Sequence, residues 1–291
     1  SYFNATAGKY GLVELSTRYG DCLMPEIITV DVKELKRKKI MKDTLFSPQL
    51  VEKVREALSR GEQAILFQNR RGFAPMIECR GCGWVPRCVN CDVSLTYHKA
   101  HNQLVCHYCG YTYRLPQVCP ECKGTEFKMQ GFGTEKVEEE IAGQFPAVKV
   151  ERLDFDTART RTAYERIISD FEKGKTQILI GTQMLSKGLD FGNVSVVGIL
   201  SADSLMNFPD FRAHERAYQL MVQVSGRAGR RDKRGTVILQ TTQPEHPLIR
   251  MVQHFAYKEM VSLQLSERSM FRYPPYYRLI VLILRSRNEE A

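Results

Sequence analysis

The chain has 291 residues, of which 43% are hydrophobic and 26% charged, and its formal net charge is +9. This length suffices for one large α/β domain with a small one, and the basic surplus makes a nucleic-acid partner a reasonable expectation. The apolar runs are only as long as strands, so we expect no membrane span, and nothing resembles a signal peptide. Because Ser1 is not a natural start, we expect a fragment of a longer protein.

Strands and helices are predicted to alternate along the chain. The expected strands are Glu26–Val32, Gln63–Phe67, Val148–Leu153, Gln177–Ile180, Val194–Leu200 and Thr236–Gln240. The expected helices run from Ser47-Pro48 to Gly61, from Gly133 through Glu140, over Thr157–Lys173 and over His214–Val224. Alternation of this kind predicts parallel βαβ units with helices on both faces of the sheet. The basic run Lys33–Lys42 is interpreted as a solvated connector in preference to a DNA contact, and a new strand is expected to begin at Leu279, beyond a domain boundary near Ser269.

Nine cysteines occur, and eight of them form four Cys-x-x-Cys pairs. The pairs are Cys79/Cys82, Cys88/Cys91, Cys106/Cys109 and Cys119/Cys122. Disulfide scaffolds are short and do not cluster their cysteines in regular pairs, so a reducing compartment is the better interpretation. The spacing also lacks the run of cysteines typical of ferredoxin clusters, which favours zinc over iron and sulfur. The ninth cysteine, Cys22, is interpreted as a small hydrophobic residue.

Eight thiolates can hold two tetrahedral Zn²⁺ ions, and three groupings of the pairs are possible. Adjacent grouping would close a site over the five residues between Cys82 and Cys88. Nested grouping joins Cys91 to Cys106 across fourteen residues, near the usual zinc-ribbon span. We therefore prefer the nested arrangement, although the other groupings remain open. Its two sets are Cys79, Cys82, Cys119 and Cys122 for the first zinc, and Cys88, Cys91, Cys106 and Cys109 for the second.

Two loops next to predicted strands carry polar side chains suited to a ligand. Thr182 and Gln183 follow a buried strand, and a strand-end loop with a hydroxyl and an amide can grip a nucleic-acid backbone. Gly188 and Asp190 come a few residues later and are expected to face a nucleotide. The triplet Gly174–Thr176 is not a phosphate loop, because it ends a helix and lacks the earlier glycine.

A pair of arginines follows the last long helix. Arg227 and Arg230 are three residues apart among small neighbours, and Gln223 precedes them. Planar cations presented in this way can reach a phosphoryl group held on another domain, which is the requirement for an arginine finger. The alternative for the two arginines is a role as surface ion-pair partners.

Several segments resemble the later motifs of superfamily 2 helicases. They are Gln68–Gly72, Asp154–Thr157, Ile178–Gln183, Lys187–Asp190, Pro209–Arg212 and Gln223–Arg230. With eight cysteines inserted after the first of these, the chain resembles the PriA family of replication-restart helicases over nearly its whole length. The resemblance implies an ATP-dependent 3′→5′ DNA helicase that rebuilds stalled replication forks and initiates primosome assembly. It also implies the nested cysteine pattern, and it adds Arg71 to the expected DNA contacts.

The resulting interpretation is a RecA-like α/β lobe interrupted by a two-zinc module. Its expected parts are a tail of a first lobe at 1–31, a second lobe at 32–78 and 124–268, a zinc insertion at 79–123, and the start of a C-terminal domain at 269–291. No phosphate loop or carboxylate pair occurs, so ATP and Mg²⁺ would bind a lobe outside this chain, and the chain alone is expected to be inactive. The implied partners are DNA forks and single strands, single-stranded-DNA-binding protein and primosome proteins, in the bacterial cytoplasm at the nucleoid. The alternative is a zinc-ribbon nucleic-acid-binding or scaffold protein without motor action, which has no need for paired arginines.

Overall fold

The computed structural model describes residues 2–15, 23–41, 44–69, 76–91, 93–98, 103–106, 108–129, 134–154, 156–186, 191–229 and 234–280. The strands in these ranges are β1 Glu26–Asp31, β2 Gln63–Phe67, β3 Ile77–Cys79, β4 Thr96–His98, β5 Gln103–Val105, β6 Thr112–Arg114, β7 Phe127–Met129, β8 Val150–Leu153, β9 Ile178–Gly181, β10 Val194–Ile199 and β11 Thr236–Thr241. The helices are α1 Tyr2–Thr6, α2 Val32–Arg37, α3 Pro48–Ser59, α4 Thr134–Gln144, α5 Arg161–Glu172, α6 Ala202–Met206, α7 Ala213–Ser225, α8 Pro247–Gln253 and α9 Tyr257–Met270.

Six strands form a parallel sheet in the order β1-β11-β10-β2-β9-β8. Every residue of β2 and β9 is buried, as expected for parallel strands covered on both faces. One face packs Ile65 and Phe67 of β2 against a core that includes Met221 of α7, and the other packs Leu66 against Leu50 of α3. The α/β fold class predicted from the sequence is therefore confirmed.

Local start signals explain most helix boundaries. Ser47 caps α3 by accepting a hydrogen bond from the backbone N–H of Leu50, with Pro48 in the first turn, as predicted. The predicted start of α5 at Thr157 is wrong, because the Thr157 side chain bonds instead to the strand-end residue Asp154. Thr160 then caps α5, which begins at Arg161.

The basic run after β1 is not an irregular connector. Asp31 caps α2 by accepting a hydrogen bond from the N–H of Glu34 at 2.9 Å, and the helix runs to Arg37. Val32 is buried and Leu35 is half-buried against the sheet, which leaves the basic side chains of this helix outward. The solvated connector predicted for this run thus contains a short, capped helix with exposed basic side chains.

The parts predicted for the chain differ from the structure at two boundaries. Glu26–Asp31 pairs with β11 along its whole length, so the sheet begins before residue 32. The cysteine-containing module begins on the antiparallel pair β3 and β7 and carries a separate three-stranded sheet, β4-β5-β6. At the other end, Leu279 and Ile280 form no strand, and residues 281–291 lie outside the described ranges. Among the described helices, none is long and apolar enough to cross a membrane.

Candidate functional site

The eight paired cysteines come together in two sets of four. The outer set is Cys79, Cys82, Cys119 and Cys122, and the inner set is Cys88, Cys91, Cys106 and Cys109. In each set the four Sγ atoms lie within 4.8 Å of one another. The Sγ atoms of Cys79 and Cys122 are 3.4 Å apart, and those of Cys88 and Cys109 are 3.6 Å apart. A tetrahedral zinc site with Zn–S bonds of about 2.3 Å requires separations of about 3.8 Å, so both donor sets fit Zn²⁺.

Tight turns place these thiols. The residue after three of the pairs has a left-handed backbone, with φ of 75° at Gly83, 73° at Gly110 and 61° at Lys123. Its N–H donates to the carbonyl oxygen of the first cysteine in the pair at 2.9 to 3.0 Å. Glycine adopts this conformation without strain, whereas Lys123 adopts it while its Nζ donates to the carbonyl oxygen of Pro120 at 3.0 Å.

The acid–base properties of the thiols also suit a bound cation. Burial raises the pKa of Cys82 to about 12 and also raises the pKa of Cys91. The backbone N–H of Gly124 lowers the pKa of the exposed Cys122 to about 7, with help from neighbouring thiols. Zinc takes thiolates as ligands, so binding would release protons from the buried cysteines and supply the charge that keeps them ionised. Both sets therefore fit structural zinc, which would tie the ends of the module together.

The outer set is docked on the end of β11. A Cβ at Gly83 would lie 2.7 Å from the Oγ1 of Thr242, so only glycine allows this close approach. The Thr242 hydroxyl and N–H both donate to the buried carboxylate of Asp203 at 2.9 Å, and the Thr241 hydroxyl donates to it at 3.0 Å. Asp203 thus fixes the surface on which the first turn of the module rests.

The inner set is docked through aromatic rings, which we call the aromatic joint: Tyr108, Phe211 and Tyr273. Phe211 and Tyr273 stack with ring centroids 4.6 Å apart, and Tyr108 meets both rings edge-on. The Tyr273 hydroxyl donates to the carbonyl oxygen of Cys91 at 3.4 Å, and the guanidinium of Arg268 lies 5.2 Å from the centre of Phe211. The joint therefore attaches the inner set to the start of α7 and to the segment after α9.

The loop after β9 contains two of the predicted DNA contacts. Thr182 and Gln183 are half-buried at the carboxyl end of the sheet, and a 3₁₀ turn follows over Gln183–Ser186. Leu185 folds back so closely that a Cβ at Gly181 would lie 2.2 Å from it, which explains the glycine. The turn packs against α7, where Leu185 shares a core with Met221.

A buried carboxylate organises the neighbouring strand end. Asp154 accepts hydrogen bonds from the Thr134 hydroxyl at 2.6 Å and from the N–H groups of Asp156 and Thr157 at 3.0 and 2.9 Å. Burial opposes ionisation of Asp154, but these bonds and the nearby Arg152 outweigh it and hold its pKa below the ordinary value. Asp154 thus joins the start of α4 to the end of β8, beside the loop that carries Thr182.

Two residues expected to meet a nucleotide, Gln223 and Arg227, lie at the carboxyl end of α7. Gln223 is exposed near the end of the helix, and Arg227 is half-buried in the turn that follows. The N–H of Gly229 donates to the carbonyl oxygen of Val194 at 3.0 Å, which places this turn at the amino end of β10. Thr182 follows the carboxyl end of β9. The expected DNA contacts and the expected nucleotide contacts therefore lie at opposite edges of the sheet. Helix α7 and the 3₁₀ turn connect them.

Four predicted site residues lie outside the described ranges: Arg71, Gly188, Asp190 and Arg230. Conversely, the sequence interpretation missed Asp203, Phe211 and Tyr273 as residues that hold the zinc module. A partial signal existed for Phe211, since Pro209–Arg212 stood out as a motif without an assigned role. Tyr273 lies beyond the domain boundary that the sequence predicts near Ser269.

Comparison with known proteins adds two family models and several relatives. Residues 88–114 match the PriA DNA helicase Cys-rich region domain, and residues 125–232 match the helicase conserved C-terminal domain. The chain is 44% identical over its full length to a replication restart protein PriA of Bacillus subtilis. It is 42% identical over 95% of its length to the PriA protein of Synechocystis, and 39% identical over 99% to that of Haemophilus influenzae.

This chain belongs to the PriA family. It spans 36%, 34% and 39% of the length of those three PriA proteins. Within this chain, the Cys-rich model covers the inner cysteine set, whereas the outer set is recognised from its geometry. The helicase C-terminal model covers α4 through α7 and ends just beyond Arg227.

A pair of largely buried histidines beside the zinc module should make stability depend on pH. Burial, with a smaller contribution from the nearby Arg87 and His246, lowers the pKa of His214 to about 3. Because the folded pKa lies below the unfolded value of about 6.5, the unfolded chain binds more protons between these values. The contribution of neutral His214 is therefore complete above pH about 6.5 and is lost as the pH falls toward 3.

We expect the unfolding temperature of the wild-type chain to fall more steeply between pH 7.5 and 5 than that of His214→Gln. The measurement is thermal unfolding by circular dichroism of both proteins at each pH. Both proteins carry the same cysteines. The effect of cysteine protonation on the unfolding temperature is therefore shared and cancels in the comparison. Parallel pH profiles would contradict the assignment of a neutral, buried imidazole.

Proposed function

We propose that this chain is the second motor lobe and zinc insertion of an ATP-dependent 3′→5′ DNA helicase that remodels stalled replication forks and initiates primosome assembly. ATP and Mg²⁺ would bind a first lobe outside this chain, where Gln223, Arg227 and Arg230 would meet the phosphates. Gly188 and Asp190 would contact the same nucleotide. Thr182, Gln183 and Arg71 would contact the DNA strand.

The observation that carries the proposal is that α7 contacts the turn next to the expected DNA contacts and also leads directly into Arg227. The 3₁₀ turn Gln183–Ser186, next to the expected DNA contact Thr182, packs on this helix, and Arg227 follows its last turn. A change in the position of Arg227 on ATP hydrolysis would therefore move the helix and the DNA loop together. A motor needs such a link, because hydrolysis must alter the grip on the strand.

The zinc insertion is proposed to act on DNA or on partner proteins, apart from the chemistry at ATP. The module docks at two points, one near the start of α7 and the other at the end of β11. Neither point lies at the end of α7 that leads to Arg227. Two of its aromatic side chains, Tyr111 and Tyr113, stack on each other, and Tyr113 is 43% exposed. Exposed rings of this kind can stack on unpaired bases at a fork. Single-stranded-DNA-binding protein and primosome proteins are the proposed partners, and the bacterial cytoplasm at the nucleoid is the proposed location.

The test uses a longer protein that contains this chain together with its first lobe. We expect single-stranded DNA to stimulate ATP hydrolysis, and we expect duplexes with a 3′ single-stranded tail to be unwound in preference to those with a 5′ tail. A Walker-lysine variant of the first lobe is the control for contaminating ATPase. DNA binding without any stimulated hydrolysis would instead favour a zinc-ribbon binding or scaffold protein.

A further inference from the structure

A short helix beside the zinc module presents an unneutralised basic face. Lys33, Lys36 and Arg37 of α2 are exposed and are spaced three and four residues apart, which places them on one side of the helix. Lys39 follows the helix and is also exposed. The opposite side of α2 is anchored by buried Val32, so the cations are held outward by the fold.

The carboxylates of this segment are already engaged. Asp31 caps the helix by accepting the N–H of Glu34. Glu34 itself pairs with Lys38 at 2.7 Å. Like charges three and four residues apart on a helix destabilise it. The fold therefore keeps Lys33, Lys36 and Arg37 together at an energetic cost, which an anion bound between them would offset.

The base of the zinc module lies beside this helix, since α2 follows Asp31, the strand partner of Thr241, and Gly83 rests on Thr242. Lys128 lies on β7, at the base of the module, and pairs with Glu78 across the two-stranded sheet at 2.8 Å. Partial loss of hydration and the positive charge of Lys128 both lower the pKa of Lys36. The carboxylates of Glu78 and Asp203 act on Lys36 in the opposite direction, so the excess positive charge of this face comes from Lys33 and Arg37.

We propose that the exposed face of α2, carrying Lys33, Lys36 and Arg37, binds the phosphodiester backbone of DNA next to the zinc module. This inference rests on the proposed function as a DNA helicase and adds a surface that the strand-end loops do not include. Flexible cations on one helix face track a repeating phosphate chain without reading its sequence. The contact would hold DNA beside the base of the module, away from Thr182.

The test is the salt dependence of single-stranded DNA binding by the whole chain. Each phosphate contact to a single strand contributes about 0.7 to the slope of log K against log salt concentration. Lys33→Ala/Arg37→Ala should therefore lower the slope by about 1.4 and weaken binding by about 20-fold at 0.1 M salt. The measurement is fluorescence anisotropy of a labelled dT oligonucleotide over a KCl series.

Matched controls separate this surface from general loss of charge. Lys38→Ala removes one charge from the same segment, but from a residue that is already ion-paired. Lys53→Ala/Lys173→Ala removes two charges elsewhere in the chain. Each of these two control proteins should keep nearly the wild-type slope. The charge-conserving Lys33→Arg/Arg37→Lys should bind normally, which checks that folding is not the cause. An unchanged slope in Lys33→Ala/Arg37→Ala, with wild-type binding intact, overturns this inference and leaves the helicase proposal standing. A wild-type chain that does not bind DNA overturns the inference, and absence of DNA-stimulated hydrolysis in the longer protein defeats the proposed function itself.

Discussion

Removal of zinc should unfold the module between residues 79 and 123 while the six-stranded sheet remains folded. In the part of the module that the structure describes, the apolar side chains form two small clusters, each built around cysteine side chains such as Cys106 and Cys119. A core of this size cannot offset the conformational entropy of ordering the module. Structural zinc contributes on the order of 10 to 16 kcal/mol of apparent binding free energy. Its removal should therefore be the largest change in the free energy of unfolding of the module. Hydrogen exchange before and after chelation should show lost protection in the module and retained protection in β2 and β9.

The two sets should lose their metals independently. Cys119→Ser in the outer set and Cys88→Ser in the inner set should each reduce the zinc content from two ions to one per chain. Cys22→Ser is the matched control, since Cys22 lies outside the four Cys-x-x-Cys pairs, and it should retain two. Elemental analysis of the purified proteins measures this. Iron, or a single zinc in the wild-type chain, would contradict the assignment of two structural zinc sites.

The sheet could be predicted from the sequence because its signals are local. Gln63–Phe67 is a continuous apolar segment between a helix end and the segment that leads to the cysteines, and the structure begins and ends β2 at those residues. Ser47-Pro48 fixed the start of α3 for a similar reason, since a cap requires only its own first turn. Spacing favours the nested cysteine sets but leaves the other two groupings open, and the structure selects the nested one.

What could not be predicted depends on partners distant in the sequence. The sequence predicts a strand at Glu26–Val32, but nothing local shows that β1 pairs with β11, some 210 positions later, and so belongs to this sheet. The aromatic joint gathers residues 108, 211 and 273 from three separate segments. Thr157 looked like the start of a helix, but the strand-end carboxylate of Asp154 takes its hydroxyl and N–H. In each case a tertiary contact outweighs a local preference.

Arg227→Ala should lower the ATP turnover of the longer protein about 10³-fold or more, which is the usual contribution of an arginine finger. A guanidinium delivered from a second lobe stabilises charge that develops on the transferred phosphoryl group, so the loss should appear mainly in kcat. Arg227→Lys should rescue little, because an ammonium group lacks the planar fork that meets two phosphate oxygens.

Helix α7 supplies the control for this experiment. Arg216 lies on the same helix but pairs with Asp210 at 2.7 Å near the opposite end. Arg216→Ala therefore removes one positive charge, as Arg227→Ala does, but at a residue far from the expected nucleotide. Its turnover should stay within a few-fold of wild type, and Arg227→Ala should still bind single-stranded DNA when no ATP is present. Normal turnover in Arg227→Ala would exclude it as a finger. Equal losses in both variants would instead indicate that α7 tolerates no change of charge, whatever the position.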